Sequence, residues 1–305
     1  MNPISALIVT YNSAEHIAAC VQAAMKYCAE VLVVDNASTD ATLTAVPRGA
    51  RVIANKQNLG FAGGVNLGMR AAAHDLVLLV NPDAILLDDP APLVAEMATA
   101  ETAVVAGLLV DDTGQPQTGF TVRRFPTPAA LAFEALGFNR LWPGNPVNRR
   151  FRGLDLDLSR AQDVEQPAGA FLLIRRDAWR AVGGFDERFH PVWFEDVDFL
   201  KRLHLAGQRI RFSPAVRARH AGGHSVNRLA TSLRNEYWYG SLFKYAGKHF
   251  SPAGRRAVAL AVGLGAAVRW VLSLFRGAAA ETGRRGLRHA IVMAAKSFWV
   301  NNAAD

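Results

Sequence analysis

Cysteine is scarce in this chain, which has only Cys20 and Cys28 among its 305 residues. Both fall within one predicted helix, where they lie too far apart along the axis for a disulfide to join them. We therefore expect two free thiols that pack as small hydrophobic side chains in a reducing compartment. The shortage also argues against a structural zinc site built on cysteine.

Signals for export and for membrane insertion are weak as well. The N-terminal stretch MNPISALIVTYN has no basic segment and only a short apolar run, so we expect a buried strand there and a cytoplasmic protein. The apolar run at residues 257–274 is interrupted by Arg269 and contains Gly263 and Gly265. It is a borderline case, because a membrane-spanning helix needs about 20 mostly apolar residues.

The chain does contain a large apolar fraction and an excess of basic residues. Hydrophobic residues make up 50% of the sequence, so we expect one large domain, with or without an appended piece. The formal net charge of +8 favours an anionic partner: a nucleotide diphosphate, a phospholipid headgroup or a nucleic acid. The sign of the charge does not choose among them.

Short β-branched runs alternate with amphipathic stretches along the chain. This alternation is typical of an α/β fold whose mostly parallel central sheet is covered by helices on both faces. Residues 111–162 are irregular and rich in proline, glycine and arginine, which predicts a long loop or a partly ordered excursion. The predicted strands are residues 4–10, 31–35, 51–54, 76–80, 104–110, 164–176 and 209–216, and the predicted helices are residues 13–27, 39–46, 61–73, 90–100 and 195–206.

Polar clusters follow three of the predicted strands. Open α/β sheets bind ligands in the crevice beyond the carboxyl ends of their strands, so the clusters predict a single binding edge. They are Thr10-Tyr11-Asn12 after the first strand, Asp35-Asn36 at the second and Asn81-Pro82-Asp83 after the fourth.

Asp83 and His220 are the candidate ligands of a cation. Mg²⁺ and Mn²⁺ commonly bind through one or two carboxylates together with substrate phosphates, and a neutral imidazole can also ligate a divalent ion. Asn81-Pro82-Asp83 is equally suited to a turn. His220 and His224 flank two glycines in HAGGHS, where a surface-loop histidine is the alternative.

The segment NLGFAGGVN, residues 58–66, places Gly60, Gly63 and Gly64 where a helix should begin. Glycines allow close backbone approach, and the amides at a helix N-terminus suit a diphosphate. The segment lacks the Gly-Lys-Ser/Thr ending of a P-loop and the GxGxxG of a dinucleotide site. A purely structural loop is the alternative.

Three carboxylates, Glu195, Asp196 and Asp198, follow an aromatic cluster in RFHPVWFEDVD, residues 188–198. Burial raises the proton affinity of a carboxylate and a nearby cation lowers it, so this position suits a tuned general base. The alternative is a helix start, because the helix dipole favours acidic residues in the first turn.

Beyond about residue 226 the sequence changes to helical runs with aromatic residues and many arginines, which divides the chain into predicted domains 1–225 and 226–305. We favour an interfacial helix or helical hairpin whose arginines face lipid phosphates. A basic cap packed on the domain or at a dimer interface is the alternative. The arginines are Arg255, Arg256, Arg269, Arg276, Arg284, Arg285 and Arg288.

In combination, the motifs resemble the GT-A fold glycosyltransferases of family 2, and among them the bacterial rhamnosyltransferase-like members. The matching segments occur in the family's order and cover roughly the first three quarters of the chain. They are IVTYN (8–12), VVDNASTD (33–40), NLGFAGGVN (58–66), NPD (81–83), GAFLLIRR (169–176), GGFDERF (183–189), EDVD (195–198) and HAGGHS (220–225).

The resemblance implies a Rossmann-like GT-A domain with a C-terminal helical extension, and an inverting enzyme that moves a sugar from a nucleotide diphosphate to a hydroxyl group. Asp196 would be the catalytic base. Asp83 and His220 would hold a divalent cation, Mg²⁺ or Mn²⁺, although the family's DxD motif appears here as NPD with a single carboxylate. The other implied roles are base and ribose binding by Thr10, Tyr11, Asn12 and Asp35, sugar-diphosphate binding by Asn58, Gly60 and Asn66, and support of the base or acceptor binding by Glu195, Asp198, Trp193 and Phe194.

For substrates, the resemblance favours dTDP-rhamnose as donor, then UDP-galactofuranose or another UDP-hexose. A glycan or polyprenyl-linked acceptor would place the enzyme peripherally at the inner face of the plasma membrane, in cell-surface polysaccharide synthesis. A homo-oligomer is compatible with this, and no nucleic-acid partner is expected.

Two other classes stay open. A nucleotidyltransferase would carry a glycine-rich basic loop where this chain has Thr10-Tyr11-Asn12. A basic nucleic-acid- or lipid-binding module would leave Asp83, Asp196 and His220 without a role.

Overall fold

The computed structural model of the chain describes residues 3–222, 230–275 and 281–299. They form two compact units. The first contains the residues up to Phe125, Leu156–Pro191 and the chain from Glu195 to residue 222. The second contains Pro126–Asp155, Val192–Phe194 and the helices that follow residue 230.

The first unit is an α/β structure around a nine-stranded sheet. Its strands are β1 (Ile4–Thr10), β2 (Glu30–Asp35), β3 (Arg51–Ala54), β4 (Leu76–Val80), β5 (Ala84–Leu86), β6 (Thr102–Val110), β8 (Gln162–Asp163), β10 (Phe171–Arg175) and β11 (Arg209–His220), and a separate pair is formed by β7 (Val122–Arg123) and β9 (Gln166–Pro167). Its helices are α1 (Ile17–Met25), α2 (Thr42–Ala45), α3 (Gly60–Ala71), α4 (Ala91–Glu96), α8 (Arg176–Ala181) and α9 (Glu195–Leu205), with a 3₁₀ turn at Glu187–Phe189.

The order of strands in the sheet is β3-β2-β1-β4-β10-β6-β11-β5, with β8 beside β11. Strands β1 to β4 pair in parallel, but β10 runs antiparallel to both of its neighbours, β4 and β6. The sheet is therefore mixed: the strands β3, β2, β1 and β4 pair in parallel, as the sequence predicted, and β10 is inserted antiparallel. Buried strands read as continuous apolar runs whichever way they point, so the pattern carried no information on direction.

Helices cover both faces of this sheet. Helix α1 packs with Ile8, Val33 and Leu78 on one face, and α3 and α9 pack on the other. Helix α3 lies especially close, because a Cβ atom on Gly68 would come within 2.1 Å of Leu7 Cδ1. Cys20 is buried in the α1 layer and both thiols are free, as expected. Burial raises the pKa of both thiols, that of Cys28 to about 12. Neither thiol is therefore a nucleophile at neutral pH.

The second unit is helical. Part of it comes from the segment 111–162, which was predicted as a long loop or a partly ordered excursion and contains three short helices. Two of these begin with a capped proline turn: Thr127 Oγ1 accepts from Ala130 N at 3.1 Å, and Asn145 Oδ1 accepts from Asn148 N at 2.8 Å. The helices of this unit are α5 (Pro128–Leu136), α6 (Phe138–Leu141), α7 (Pro146–Phe151), α10 (Thr231–His249), α11 (Pro252–Leu274) and α12 (Glu281–Trp299).

Among the described residues, α11 is the one helix long and apolar enough to cross a membrane. It packs against α12 and α5. Gly265 makes the contact between α11 and α5 possible, since a Cβ atom there would lie 2.0 Å from the Ala135 carbonyl oxygen. The predicted domain boundary after residue 225 lies outside the described residues, and the assignment of Pro126–Asp155 and Val192–Phe194 differs from the predicted one.

Candidate active site

The carboxyl ends of the strands bring the predicted site residues to one edge of the sheet. Thr10 and Asp35 end β1 and β2 and are register partners. His220 ends β11 and pairs with Ala84, the residue after Asp83. Strand β10 runs antiparallel to β4 and so begins at the same edge.

Asp83 and His220 meet at this edge in a nearly dry pocket. Asp83 Oδ1 and His220 Nε2 are 3.6 Å apart, and the side chains are 9% and 3% exposed. Burial lowers the pKa of His220, and the Asp83 charge opposes this only in part, so the imidazole is neutral near pH 7. On the same turn, Asn81 Oδ1 is buried and has no hydrogen-bond partner among the described residues.

This donor set fits a divalent cation whose coordination is completed by a substrate. The described ranges contain no group of three or more His, Cys, Asp or Glu side chains that could hold a metal. Carboxylate oxygen, amide oxygen and neutral imidazole are ligands that Mg²⁺ or Mn²⁺ accepts, and Mg²⁺ often binds few protein groups together with substrate phosphates. His224 lies outside the described residues.

Asp35 and Asn12 shape the neighbouring end of the edge. Asp35 Oδ2 accepts from Ser38 N at 3.0 Å, and its Oδ1 accepts from the Ser38 hydroxyl. Asn12 has a positive φ of 51°, and its Oδ1 accepts from Thr39 N at 2.8 Å. The two side chains hold the turn after β2 onto the end of β1. A carboxylate accepts about four hydrogen bonds, so Asp35 keeps acceptor capacity for a ligand.

Thr10 and Tyr11 lie beside this turn with polar groups that the turn does not use. Thr10 is 1% exposed, and its Oγ1 has no hydrogen-bond partner among the described residues. A buried hydroxyl without a partner is costly, which is a reason to expect a ligand there. Tyr11 is 39% exposed.

The glycines of residues 58–66 pack helix α3 against its surroundings. A Cβ atom on Gly64 would lie 2.6 Å from Val9 Cγ1. Gly60 has a φ of +73°, and a Cβ atom there would lie 3.0 Å from the Pro191 carbonyl oxygen. Asn58 Oδ1 accepts from Gly60 N at 2.8 Å. Packing therefore accounts for these glycines, and donor binding by Asn58 and Gly60 stays a prediction.

Asn66 has a structural role, which corrects its predicted place among the donor-binding residues. Its Nδ2 donates to Phe185 O and to Glu187 Oε1, both at 2.8 Å. Its Oδ1 accepts from Phe185 N at 2.8 Å and from Trp179 Nε1 at 3.1 Å. An amide side chain has two donor hydrogens and two acceptor positions, so none remains for a nucleotide.

Asp196 is partly buried and is held by backbone amides at both oxygens. Oδ2 accepts from Gly169 N at 2.9 Å and Oδ1 from Val197 N at 2.8 Å. Burial raises the pKa of Asp196, while these bonds and the positive charge of Arg123 oppose the rise. A Cβ atom on Gly169 would come within 2.9 Å of the Asp196 side chain, so glycine is required there for the carboxylate to fit.

Glu195 is 4% exposed, and its Oε2 has no hydrogen-bond partner among the described residues. Burial, followed by the charge of Asp196, raises its pKa well above the usual value. The pKa values of two neighbouring carboxyl groups move apart in this way, because it is unfavourable for both groups to be ionised together. Glu195 therefore holds a proton more readily than Asp196, whose charged form is stabilised by backbone hydrogen bonds and by Arg123.

Asp198 does not face an acceptor, which corrects one of its two predicted roles, while its role in supporting Asp196 stays a prediction. Its side chain is fully buried, and Oδ2 lies 2.8 Å from Arg202 Nε, one helical turn along α9. Arg202 also donates from Nη2 to Gly184 O at 2.6 Å. Asp198 therefore ties α9 to the loop before it.

Trp193 and Phe194 precede the carboxylates with positive φ values of 79° and 68°. The Phe194 ring lies 5.4 Å from that of Tyr245 and 6.3 Å from that of Trp238, within the second unit. A left-handed backbone is unusual for bulky residues and needs such contacts to hold it. The acceptor-wall role of both residues stays a prediction.

Sequence reasoning missed three side chains between β6 and the end of β7. Gln117 hydrogen bonds to His220, and the Phe120 ring stacks on that imidazole at 5.2 Å. The Arg123 guanidinium lies 5.6 Å from the Phe120 ring centroid, and its charge acts on Asp196. These contacts join residues far apart in sequence, and their only local signal is the short alternation around Val122.

A family model described as Glycosyl transferase family 2 matches residues 5–182. N-acetylglucosaminyl-diphospho-decaprenol L-rhamnosyltransferase of Mycobacterium tuberculosis is 31% identical over 239 residues, which cover 72% of this chain and 76% of the relative. Rhamnosyltransferase WbbL of Escherichia coli is 29% identical over 178 residues, which cover 58% of this chain and 63% of the relative.

Among solved structures, the mannosyltransferase PcManGT of Pyrobaculum calidifontis, in complex with GDP-Man and Mn²⁺, superposes with a TM-score of 0.54. The match covers 98% of this chain and 87% of that protein at 18% identity. It supports a GT-A-like α/β fold with a mixed central sheet and a C-terminal helical region.

Replacing Arg123 by glutamine should raise the pKa of Asp196 further, because the charge that opposes the effect of burial is lost. The ionised form of Asp196 should then appear only at higher pH. Carbon-13 NMR titration of the Asp196 carboxyl group measures the change. The matched control is Arg51→Gln, since Arg51 begins β3, at the opposite ends of the strands. An unchanged titration midpoint of Asp196 in Arg123→Gln would contradict the conclusion that the charge of Arg123 lowers the pKa of Asp196.

Proposed function

The chain belongs to glycosyl transferase family 2, and on that premise we propose that it transfers L-rhamnose from dTDP-rhamnose to a hydroxyl of a lipid-linked glycan. The observation that carries the choice of sugar and acceptor is its 31% identity to a relative named as an L-rhamnosyltransferase of N-acetylglucosaminyl-diphospho-decaprenol. Membership of an inverting glycosyltransferase family decides against the nucleotidyltransferase and the basic binding module.

In the proposed reaction, the Asp196 carboxylate takes the proton of the acceptor hydroxyl. The hydroxyl oxygen forms a bond to the anomeric carbon of the sugar, and the bond from that carbon to the diphosphate oxygen breaks on the opposite face. The configuration at the carbon is therefore inverted. The amides of Gly169 and Val197 keep the carboxylate oriented, and its raised pKa makes it a stronger base than an exposed aspartate.

At the other end of the edge, Asp83 and His220 would hold the divalent cation, and Asn81 Oδ1 is available beside them. When bound, the cation supplies positive charge to the leaving diphosphate. Thr10 Oγ1 and the remaining acceptor positions of Asp35 would bind the nucleoside.

Replacing Asp196 by asparagine should lower kcat by about 10²- to 10⁴-fold, the usual contribution of a positioned general base. Donor affinity should change little, because the substitution keeps the size of the side chain. Transfer from dTDP-rhamnose and nucleotide-sugar binding are measured separately. Asp177→Asn, at a site whose side chain is 73% exposed, is the control. Full activity in Asp196→Asn would remove Asp196 from the reaction.

The donor can be identified by a thermal-shift panel of nucleotide sugars, with and without Mn²⁺. A ligand that binds only the folded protein at about 100 times its Kd stabilises it by about 2.7 kcal/mol. We expect dTDP-rhamnose to raise the Tm most. A response confined to UDP-galactofuranose or another UDP-hexose would contradict the rhamnosyl assignment while keeping the enzyme class.

An apolar stripe on α11 is the proposed membrane contact that brings the protein to its lipid-linked acceptor. Its members recur at intervals of about one helical turn, so they share one face of the helix, and the opposite face packs inside the second unit. A helix with one apolar face and basic neighbours typically lies in the membrane interface. The stripe consists of Leu260, Leu264, Val268, Val271, Leu272 and Phe275, each between 48% and 83% exposed.

Basic residues lie at one end of this stripe. Arg284, Arg285 and Arg288 of α12 line a cavity together with Leu274, and the Arg288 guanidinium lies 5.3 Å from the Trp270 ring centroid. Arginine clusters of this kind attract the phosphates of anionic lipids. We therefore include in the proposal a peripheral position at the inner face of the plasma membrane.

One of the arginines expected to face lipid has a structural place instead, since Arg255 is 4% exposed. Arg269 is exposed, and its Nη2 donates to the Tyr239 hydroxyl at 2.8 Å. Arg276 lies outside the described residues.

Replacing Leu264 and Val268 together by glutamate should abolish flotation of the full-length protein with vesicles containing phosphatidylglycerol, because charge in the stripe opposes insertion. The control is Leu205→Glu, a leucine on α9 that is 67% exposed. Unchanged flotation of the double variant would contradict the lipid assignment. Dimerisation of the wild type, lost in the double variant by light scattering, would instead support the dimer-interface alternative.

A further inference from the structure

Gln117 holds His220 by two polar contacts from one side chain. Its Nε2 donates to the His220 carbonyl oxygen at 2.7 Å, and its Oε1 lies 3.2 Å from the ring Nδ1. The backbone N–H of Gln117 donates to Leu109 O on β6 at 2.9 Å, so the contact is anchored to the sheet. The Phe120 ring stacks on the imidazole with an interplanar angle of 10°. One short segment thus fixes both the position and the plane of the His220 ring.

These contacts also decide which ring nitrogen carries the proton. A backbone carbonyl can only accept a hydrogen bond, so the Gln117 atom that faces it must be the donor, Nε2. The atom that faces the ring is then Oε1, which is an acceptor and requires a proton on Nδ1. In a neutral imidazole this leaves His220 Nε2 with an unshared lone pair.

The lone pair of Nε2 faces the Asp83 carboxylate. Nε2 and Asp83 Oδ1 are 3.6 Å apart, beyond hydrogen-bonding distance. With the proton on Nδ1, two electron-rich atoms face each other in a nearly dry pocket, which is unfavourable unless a positive charge lies between them. The arrangement is suited to binding a cation between His220 Nε2 and Asp83 Oδ1.

We propose that Gln117 is the positioning residue of this cation site, because it presents His220 Nε2 unprotonated and aimed beside Asp83. The inference deepens the proposed function, and it rests on the cation site described there. In metalloproteins the second nitrogen of a ligand histidine commonly donates to a carboxylate, carbonyl or water. Here the amide oxygen of Gln117 takes that place.

The proton position can be read directly in the metal-free, full-length protein. Long-range ¹H–¹⁵N NMR of histidine-labelled protein distinguishes the two tautomers of each imidazole, and the His220→Gln variant identifies the His220 signals. We expect the proton on Nδ1 in the wild type. A proton on Nε2 would overturn the proposal, and this measurement needs no Gln117 variant to fold.

Removing the Gln117 amide should weaken cation binding. We expect Gln117→Leu to raise the Kd for Mn²⁺, measured by calorimetry on the protein alone, by about 10- to 100-fold. Gln117→Glu keeps an acceptor for Nδ1–H and should lose less. The matched control is Gln115→Leu, an exposed glutamine two residues earlier, which should keep the wild-type Kd. Circular dichroism establishes that each variant is folded.

An unchanged Kd in folded Gln117→Leu would overturn the proposal, as would a wild type that does not bind Mn²⁺. Neither readout uses a nucleotide sugar. A wrong donor assignment therefore leaves both results standing, and a failure here leaves the Asp196 test of glycosyl transfer intact.

Discussion

The proposed site depends on stabilising the carboxylate of Asp196, which is partly shielded from water. Asp196 is partly buried and follows the buried Glu195 in sequence, and the two cannot both ionise at low cost. The amides of Gly169 and Val197 stabilise the charge on Asp196 and fix both of its oxygens. Glu195 lacks such bonds at Oε2, and burial raises its pKa well above the usual value. From this one constraint follow the need for glycine at position 169 and the division of roles between two neighbouring acids.

The segment from Gln117 to Arg123 links this carboxylate with the cation end of the edge. Gln117 and Phe120 fix His220 beside Asp83. The Thr121 carbonyl accepts from Ala168 N, directly before Gly169, and Arg123 supplies positive charge to Asp196. A displacement of the segment would therefore move the proposed base and the proposed cation ligands together. Such coupling is useful in a reaction where proton removal and leaving-group departure occur in one step.

Some of this structure could be predicted from the sequence and some could not, for physical reasons. Strands 4–10, 51–54 and 76–80 have their predicted bounds, because their ends are marked by turn and polar residues. The direction of β10 could not be predicted, since an apolar run reads alike both ways. Asp198 could have been assigned correctly, because Arg202 stands four residues later on the same helix. The roles of Asn66 and Gln117 could not be assigned from the sequence, since their hydrogen-bond partners lie more than 100 residues away along the chain.

The pairing of Gln117 with His220 spans 103 residues and has a consequence for synthesis of the protein. A ribosome delivers Asp83 and Gln117 long before it delivers His220. Until β11 emerges, β6 and β5 lack the strand that lies between them in the sheet. The nascent chain can thus assemble the proposed nucleoside-binding end of the edge early, while the proposed cation ligands come together only after residue 220 of 305 has been made.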